Sequence, residues 1–116
     1  MLKVAKEENR YIVSLFQVNK INTLFTDLIS QQLNQLVGQP DRHILFNLEG
    51  VRFIDTAGFQ VLENASDIAE KSGTRFQLCN ISEEVQELLD LTGMHKKLEI
   101  IPSLEVEEKI LMELDE

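Results

Sequence analysis

An acid, a hydroxyl and a run of small residues follow one another at Asp55-Thr56-Ala57-Gly58-Phe59. Helical spacing of Phe59, Leu62, Ala65 and then Ile68 or Ala69 begins there, so the stretch reads as a helix N-terminus near Thr56. Unpaired backbone N–H groups and the positive end of the helix dipole make such a turn attractive to acceptors and negative charge. With Thr56, Ala57 and Gly58 all small, the turn is expected to present bare amides as a docking surface for a partner. Gly58 is out of place by propensity, since glycine inside a helix costs about 1 kcal/mol relative to alanine. Close approach of another backbone is its expected reason. A plainer reading is compatible with the first: Asp55 or Thr56 caps the helix, and Gly58 lets it pack against a neighbouring strand.

Other chemistry is thinly represented. His43 and His95 are the only histidines and Cys79 the only thiol, each isolated in sequence, so neither zinc-ligand spacing nor a nucleophile–base pair is suggested. All three are expected to be structural. No glycine-rich phosphate loop and no Gly-x-Ser-x-Gly elbow occurs. One enzymatic alternative uses Asp55 as a phosphoacceptor in a receiver-like or phosphotransfer protein, because ligands gather at strand ends in α/β folds. That chemistry needs magnesium and converging carboxylates, and Glu49 is the only nearby candidate. No catalytic residue, metal ligand or cofactor is therefore assigned.

The elements that must position the motif follow from changes of period. Leu2 to Ala5 and Tyr11 to Phe16 read as strands joined by the polar turn Glu7-Glu8-Asn9-Arg10, an antiparallel hairpin. From Leu24, the residues Phe25, Ile29, Leu33 and Leu36 mark one face of a helix that Gly38 and Pro40 terminate. Ile44-Leu45-Phe46-Asn47-Leu48 is nearly continuous apolar sequence, as in a strand buried on both faces, and is expected to be central. The motif helix runs from Thr56 to Gly73. Arg75 to Asn80 alternates as a strand, Ser82 caps a third helix with Val85, Leu88 and Leu89 inward, and Gly93 ends it. Leu98, Ile100 and Ile101 form a last strand before Pro102, and Ser103 starts a final amphipathic helix through Ile110 and Leu114. Its acidic face, from Glu105 to Glu116, is read as solvated. Met94 and Phe59 are candidates for an apolar rim beside the motif, with core packing the expected fate of Met94. Strands separated by single helices imply parallel crossovers, so the expected fold is α/β, a mixed sheet of four or five strands with helices packed on it. Strand order is not readable.

Length and charge set the outer bounds. The 116 residues, 43% hydrophobic, suffice for the core of one domain, expected to span 1–116. No apolar run exceeds three residues and the N-terminus lacks a leader pattern, so no membrane insertion and a cytoplasmic location are expected. Eleven basic against twenty acidic residues, net −9, oppose the field a nucleic-acid binder needs.

The segment from Asn47 through Asp55-Thr56-Ala57-Gly58-Phe59 resembles the signature of STAS domains, in which a buried strand leads to Asp-Ser-Ser/Thr-Gly-Leu at a helix start. Ile81-Ser82 through Val85, Leu88-Leu89 and Leu91-Thr92-Gly93-Met94 is similar to their later helix and its exit, so the resemblance covers the whole chain in order. It implies a non-enzymatic, stand-alone bacterial regulator like the anti-sigma factor antagonists, which dock a switch kinase/anti-sigma factor and so free a sigma factor. It also implies that partner binding centres on Asp55, Thr56, Ala57, Gly58 and Phe59. Similar domains serve as accessory subunits of ABC transporters or in stress-signalling complexes, and both remain as alternatives.

Two departures change what the resemblance implies. The position matching the phosphorylated hydroxyl is Ala57, so the usual phosphorylation switch has no acceptor there. Thr56 precedes it and is a poor substitute acceptor, because the adjacent Asp55 repels a phosphate. The second lies at Gln17-Val18-Asn19-Lys20-Ile21, where many relatives carry Gly-x-Leu-Asp, so part of the partner surface differs.

Overall fold

The computed structural model describes residues 2–7, 10–15, 19–21 and 26–103. Strands β1 (Leu2–Glu7) and β2 (Arg10–Leu15) pair antiparallel from Leu2↔Leu15 to Glu7↔Arg10. They reach further toward their turn than the apolar pattern indicates. The reason is charge: Arg10 Nε and Nη2 donate to Glu7 Oε2 at 3.0 and 2.8 Å and close the register. Phe16, expected in the second strand, lies outside the described residues.

A short β3 (Lys20–Ile21) precedes α1 (Thr26–Val37), whose inward face is Thr26, Ile29, Leu33 and Val37, with Leu36 half-buried beside it. The expected helix start at Leu24 and Phe25 lies outside the described residues. Next come β4 (His43–Asn47), β5 (Phe53–Ile54) and α2 (Thr56–Ser72). They are followed by β6 (Arg75–Cys79), α3 (Glu83–Thr92), a 3-10 turn at Met94–Lys96 and β7 (Glu99–Ile101). Stops and starts are those the residue types dictate. Gly73 and Gly93 take the left-handed conformation at φ 71° and 75°, and Ser82 Oγ accepts from the Val85 amide at 3.2 Å. The final helix expected from Ser103 lies outside the described residues.

The sheet order is β1-β2-β4-β6-β7, antiparallel at β1 and parallel thereafter. Each crossover moves the chain one strand further from β1, and right-handed crossovers in one direction put their helices on one face. The core agrees: Val13, Ile44, Phe46, Phe76 and Leu78 from that face pack with Ile29, Leu33, Leu62, Ala65, Val85 and Leu89 from the three helices. β4 is central and buried on both faces, as expected, with Leu45 fully buried on the face opposite Ile44 and Phe46.

The alternation of β6 misleads on one point. Its polar residue Gln77 is completely buried, because its strand lies between β4 and β7. It bridges its neighbours: Gln77 Nε2 donates to Glu99 Oε1 at 2.8 Å, and Gln77 Oε1 lies 2.6 Å from His43 Nε2. Since the amide oxygen can only accept, His43 donates from Nε2. A second, two-stranded parallel sheet, β3 with β5, was not legible in the sequence at all.

Candidate functional site at the start of helix two

The first turn of α2 is fixed from three directions. The Asp55 backbone is extended, at φ −86° and ψ 179°, and its carboxylate Oδ1 accepts from the Gly58 amide at 2.8 Å. Of the two expected candidates, Asp55 is thus the N-cap and Thr56 the first helical residue. The acid prevails because a cap must stand outside the helix, and Asp55 is held there by β5. Its amide donates to the Ile21 carbonyl at 3.0 Å, continuing the β3–β5 ladder, while its own carbonyl receives the Phe59 amide at 2.9 Å. The expected array of bare amides is correspondingly smaller, since those of Gly58 and Phe59 are both taken.

Gly58 is where it is because β3 lies against it. A Cβ there would meet Ile21 Cγ2 and Ile54 Cγ2 at 2.8 Å and the Ile21 carbonyl oxygen at 3.0 Å. Close approach of another backbone is therefore the reason for the glycine, and it is an intramolecular one. Of the five motif residues, Thr56 is exposed, Asp55 and Ala57 are half-buried, and Gly58 and Phe59 are buried. Phe59, at 2% exposure, turns into the core among the apolar residues of the helices and forms no rim. Met94 is half-buried against that core. The motif thus offers one exposed side chain, Thr56, on a rigid turn.

Beside it lie residues that pattern analysis passed over. In the β3–β5 ribbon Ile21 and Ile54 are paired and buried, so their neighbours Lys20 and Phe53, also paired, point outward. Phe53 is 46% exposed and Lys20 is exposed. Two-residue strands carry too few positions to reveal a period, so the apolar pattern leaves the orientation of Phe53 unassigned. Arg52, exposed, donates its amide to the Asn19 carbonyl at 2.8 Å and lines a recess with Ser82, Glu83 and Glu84.

His43 and Cys79 are structural in their surroundings, whereas the expectation for the His95 side chain lies outside what the structure describes. His43 is bound to Gln77 as described. Burial pushes the Cys79 thiol up to about 11, the Arg10 charge opposing and the Glu49 charge adding to the rise, so it is far from a thiolate nucleophile. Glu49 is exposed, and the Asp55 carboxylate serves the helix cap. Among the described residues no three His, Cys, Asp or Glu side chains converge to hold a metal ion. No helix among them is long and apolar enough to cross a membrane.

The α/β architecture, with the three described helices on one face and a small-residue turn against a short ribbon, defines a class, and the comparisons place the chain in it. The chain belongs to the STAS domain family, which its residues 3–107 match. Over 115 residues it is 23% identical to an anti-sigma F factor antagonist of Paenibacillus polymyxa, covering 98% of this chain and 96% of that protein. An anti-sigma-factor antagonist (STAS) domain protein from Planctomyces limnophilus superposes with a TM-score of 0.80 at 20% identity, over 96% of this chain and 95% of the other. An anti-sigma factor antagonist from Mycobacterium paratuberculosis gives 0.77 at 18% identity, over 90% and 87%. The structural likeness is one of fold.

Proposed function

We propose that this chain is a non-enzymatic, cytoplasmic regulator of the anti-sigma factor antagonist type. It docks a switch kinase/anti-sigma factor through the start of α2, and the docking side chain of the motif is Thr56. The observation that carries the reading is the first turn itself: Asp55 and Gly58 are spent on holding it against β3, leaving Thr56 outward on a preorganised surface. The relative by sequence and several of the fold neighbours are named as antagonists, which supports the kind of partner.

Regulation differs from the phosphorylation switch. Ala57 offers no hydroxyl, and the half-buried Asp55 carboxylate next to Thr56 disfavours a dianion there. The chain therefore acts as a constitutive or otherwise regulated binder, and intact-mass analysis of protein purified from its own cells is expected to show no phosphate.

The test is affinity purification of the tagged protein beside a Thr56→Asp variant. Asp suits a helix N-terminus, so the variant keeps its fold while placing a charge on the docking turn. A kinase-like ATPase recovered with the wild type and lost with the variant supports the reading. Recovery of the same partners with both proteins, or of a transporter subunit instead, overturns it.

A further inference from the structure

Resting on the docking role just proposed, and deepening it, we infer that the partner presents an acidic side chain next to an apolar one, received by Lys20 and Phe53 on the outward face of the β3–β5 ribbon. Three observations carry this. First, the Lys20↔Phe53 pairing sets a cation and a half-exposed aromatic ring side by side, held by Ile21 and Ile54 buried beneath them. Phenylalanine is enriched at binding surfaces relative to the rest of a protein surface, and a lysine beside it adds a charge that fixes the sign of the partner group. Second, Lys20 has no ion pair among the described residues, so its charge is available to a partner.

Third, the segment from β5 into α2 lacks the exposed carboxylates that dominate the chain. With twenty acidic residues against eleven basic, an arbitrary patch is expected to be acidic. Yet over residues 51–64 the exposed side chains are Arg52, Phe53, Thr56, Gln60 and Asn64, none of them a carboxylate. Asp55 is committed to its cap, and Glu63, largely covered, is bonded to Lys97 Nζ at 2.6 Å. Arg52 shares its recess with Glu83 and Glu84, so Lys20 is the cation that meets the partner's acid. Phe53 takes the apolar contact, and the exposed Thr56 follows three residues further along the chain. A lysine with no ion pair among the described residues, on a molecule of net −9, selects acidic partners by local complementarity while the overall charge discourages unselective acidic ones.

The experiment is a random-peptide display selection on the full-length chain, followed by fluorescence-anisotropy titration of the enriched peptides. The panel is the wild type with Lys20→Glu, Phe53→Ser, Thr56→Asp and, at the far end of α2, the exposed Lys71→Glu as control, each checked by circular dichroism. The expected result is enrichment of Asp or Glu adjacent to aromatic or aliphatic residues. Affinity is expected to fall roughly tenfold or more with Lys20→Glu and with Phe53→Ser, as for residues central to an interface. It should stay within about twofold with Lys71→Glu and weaken as salt rises. Enriched peptides that are neutral or basic, no enrichment, or binding indifferent to Lys20→Glu and Phe53→Ser overturn the inference. Loss with Thr56→Asp but retention with both ribbon variants leaves docking at the helix start standing and sinks only the acidic-partner chemistry. Loss with both ribbon variants and retention with Thr56→Asp keeps the chemistry and removes the helix start from the site.

Discussion

At Gly58, intrinsic propensity and tertiary packing pull in opposite directions, and their magnitudes decide which wins. Replacing a helical glycine by alanine gains about 1 kcal/mol in an isolated helix. Here the added methyl meets two isoleucine methyls at 2.8 Å and a carbonyl oxygen at 3.0 Å, all on elements that cannot swing aside. Overpacking of that kind costs about 1–3 kcal/mol. Gly58→Ala is therefore expected to destabilise the protein in urea titration, and a midpoint raised above the wild type's would remove β3 as the reason for the glycine. It also makes Gly58 a poor probe of docking, since a large substitution disturbs the ribbon as well as the helix start. Asp55 makes the complementary case. Asp55→Ala removes the acceptor for the Gly58 amide and is expected to cost about 1 kcal/mol, while Asp55→Asn, which caps nearly as well, stays close to the wild type.

Among the elements, the three adjacent strands β4, β6 and β7 share a polar bridge that no single strand explains. Gln77 on β6 joins His43 on β4 to Glu99 on β7, and Arg75 Nη2 also donates to Glu99 Oε1 at 2.8 Å. Gln77→Leu fills the volume but strips both neighbours of a partner, and a buried bridge lost in this way costs about 1–3 kcal/mol. Urea titration is the check, and a Gln77→Leu protein as stable as the wild type would show the bridge to be dispensable. Glu99 carries a pH signature as well. Partial burial alone would raise its pKa, but the bonds from Arg75 and Gln77, with the charges of Arg75 and His43, outweigh that and hold the carboxyl below its ordinary range. A carboxyl depressed in the folded state contributes stability above its unfolded pKa and loses it as pH falls through the folded one. Glu99→Gln is accordingly expected to flatten the acid limb of the stability profile, measured as urea midpoint against pH.

For the whole molecule, stability rests on packing, because a single cysteine permits no internal disulfide. That cysteine reports on the whole fold. Cys79 is fully buried, and its thiol is pushed up to about 11. Labelling by a disulfide reagent at pH 8 is expected to be negligible in the native protein and to rise with denaturant in step with the loss of circular dichroism. Rapid labelling without denaturant would mean that β6 opens locally.

The sequence alone determined whatever depends on neighbours along the chain. Glycine and serine boundaries placed α2 and α3, the unbroken apolar run Ile44-Leu45-Phe46 made β4 central, and the order of periods set the α/β class with its opening hairpin. The motif at Asp55 to Phe59 was likewise legible, as was the glycine that needed a tertiary reason. Tertiary structure decided the rest, because it depends on residues distant in sequence. β3 and β5 are two residues each and exist only by pairing with one another across more than thirty positions. That pairing chose Asp55 over Thr56 as the cap, pressed Ile21 onto Gly58, turned Phe59 inward and left Lys20 and Phe53 outward. Gln77, polar in sequence and buried in space, follows the same rule: its strand's position between two others, not its own type, settled its environment.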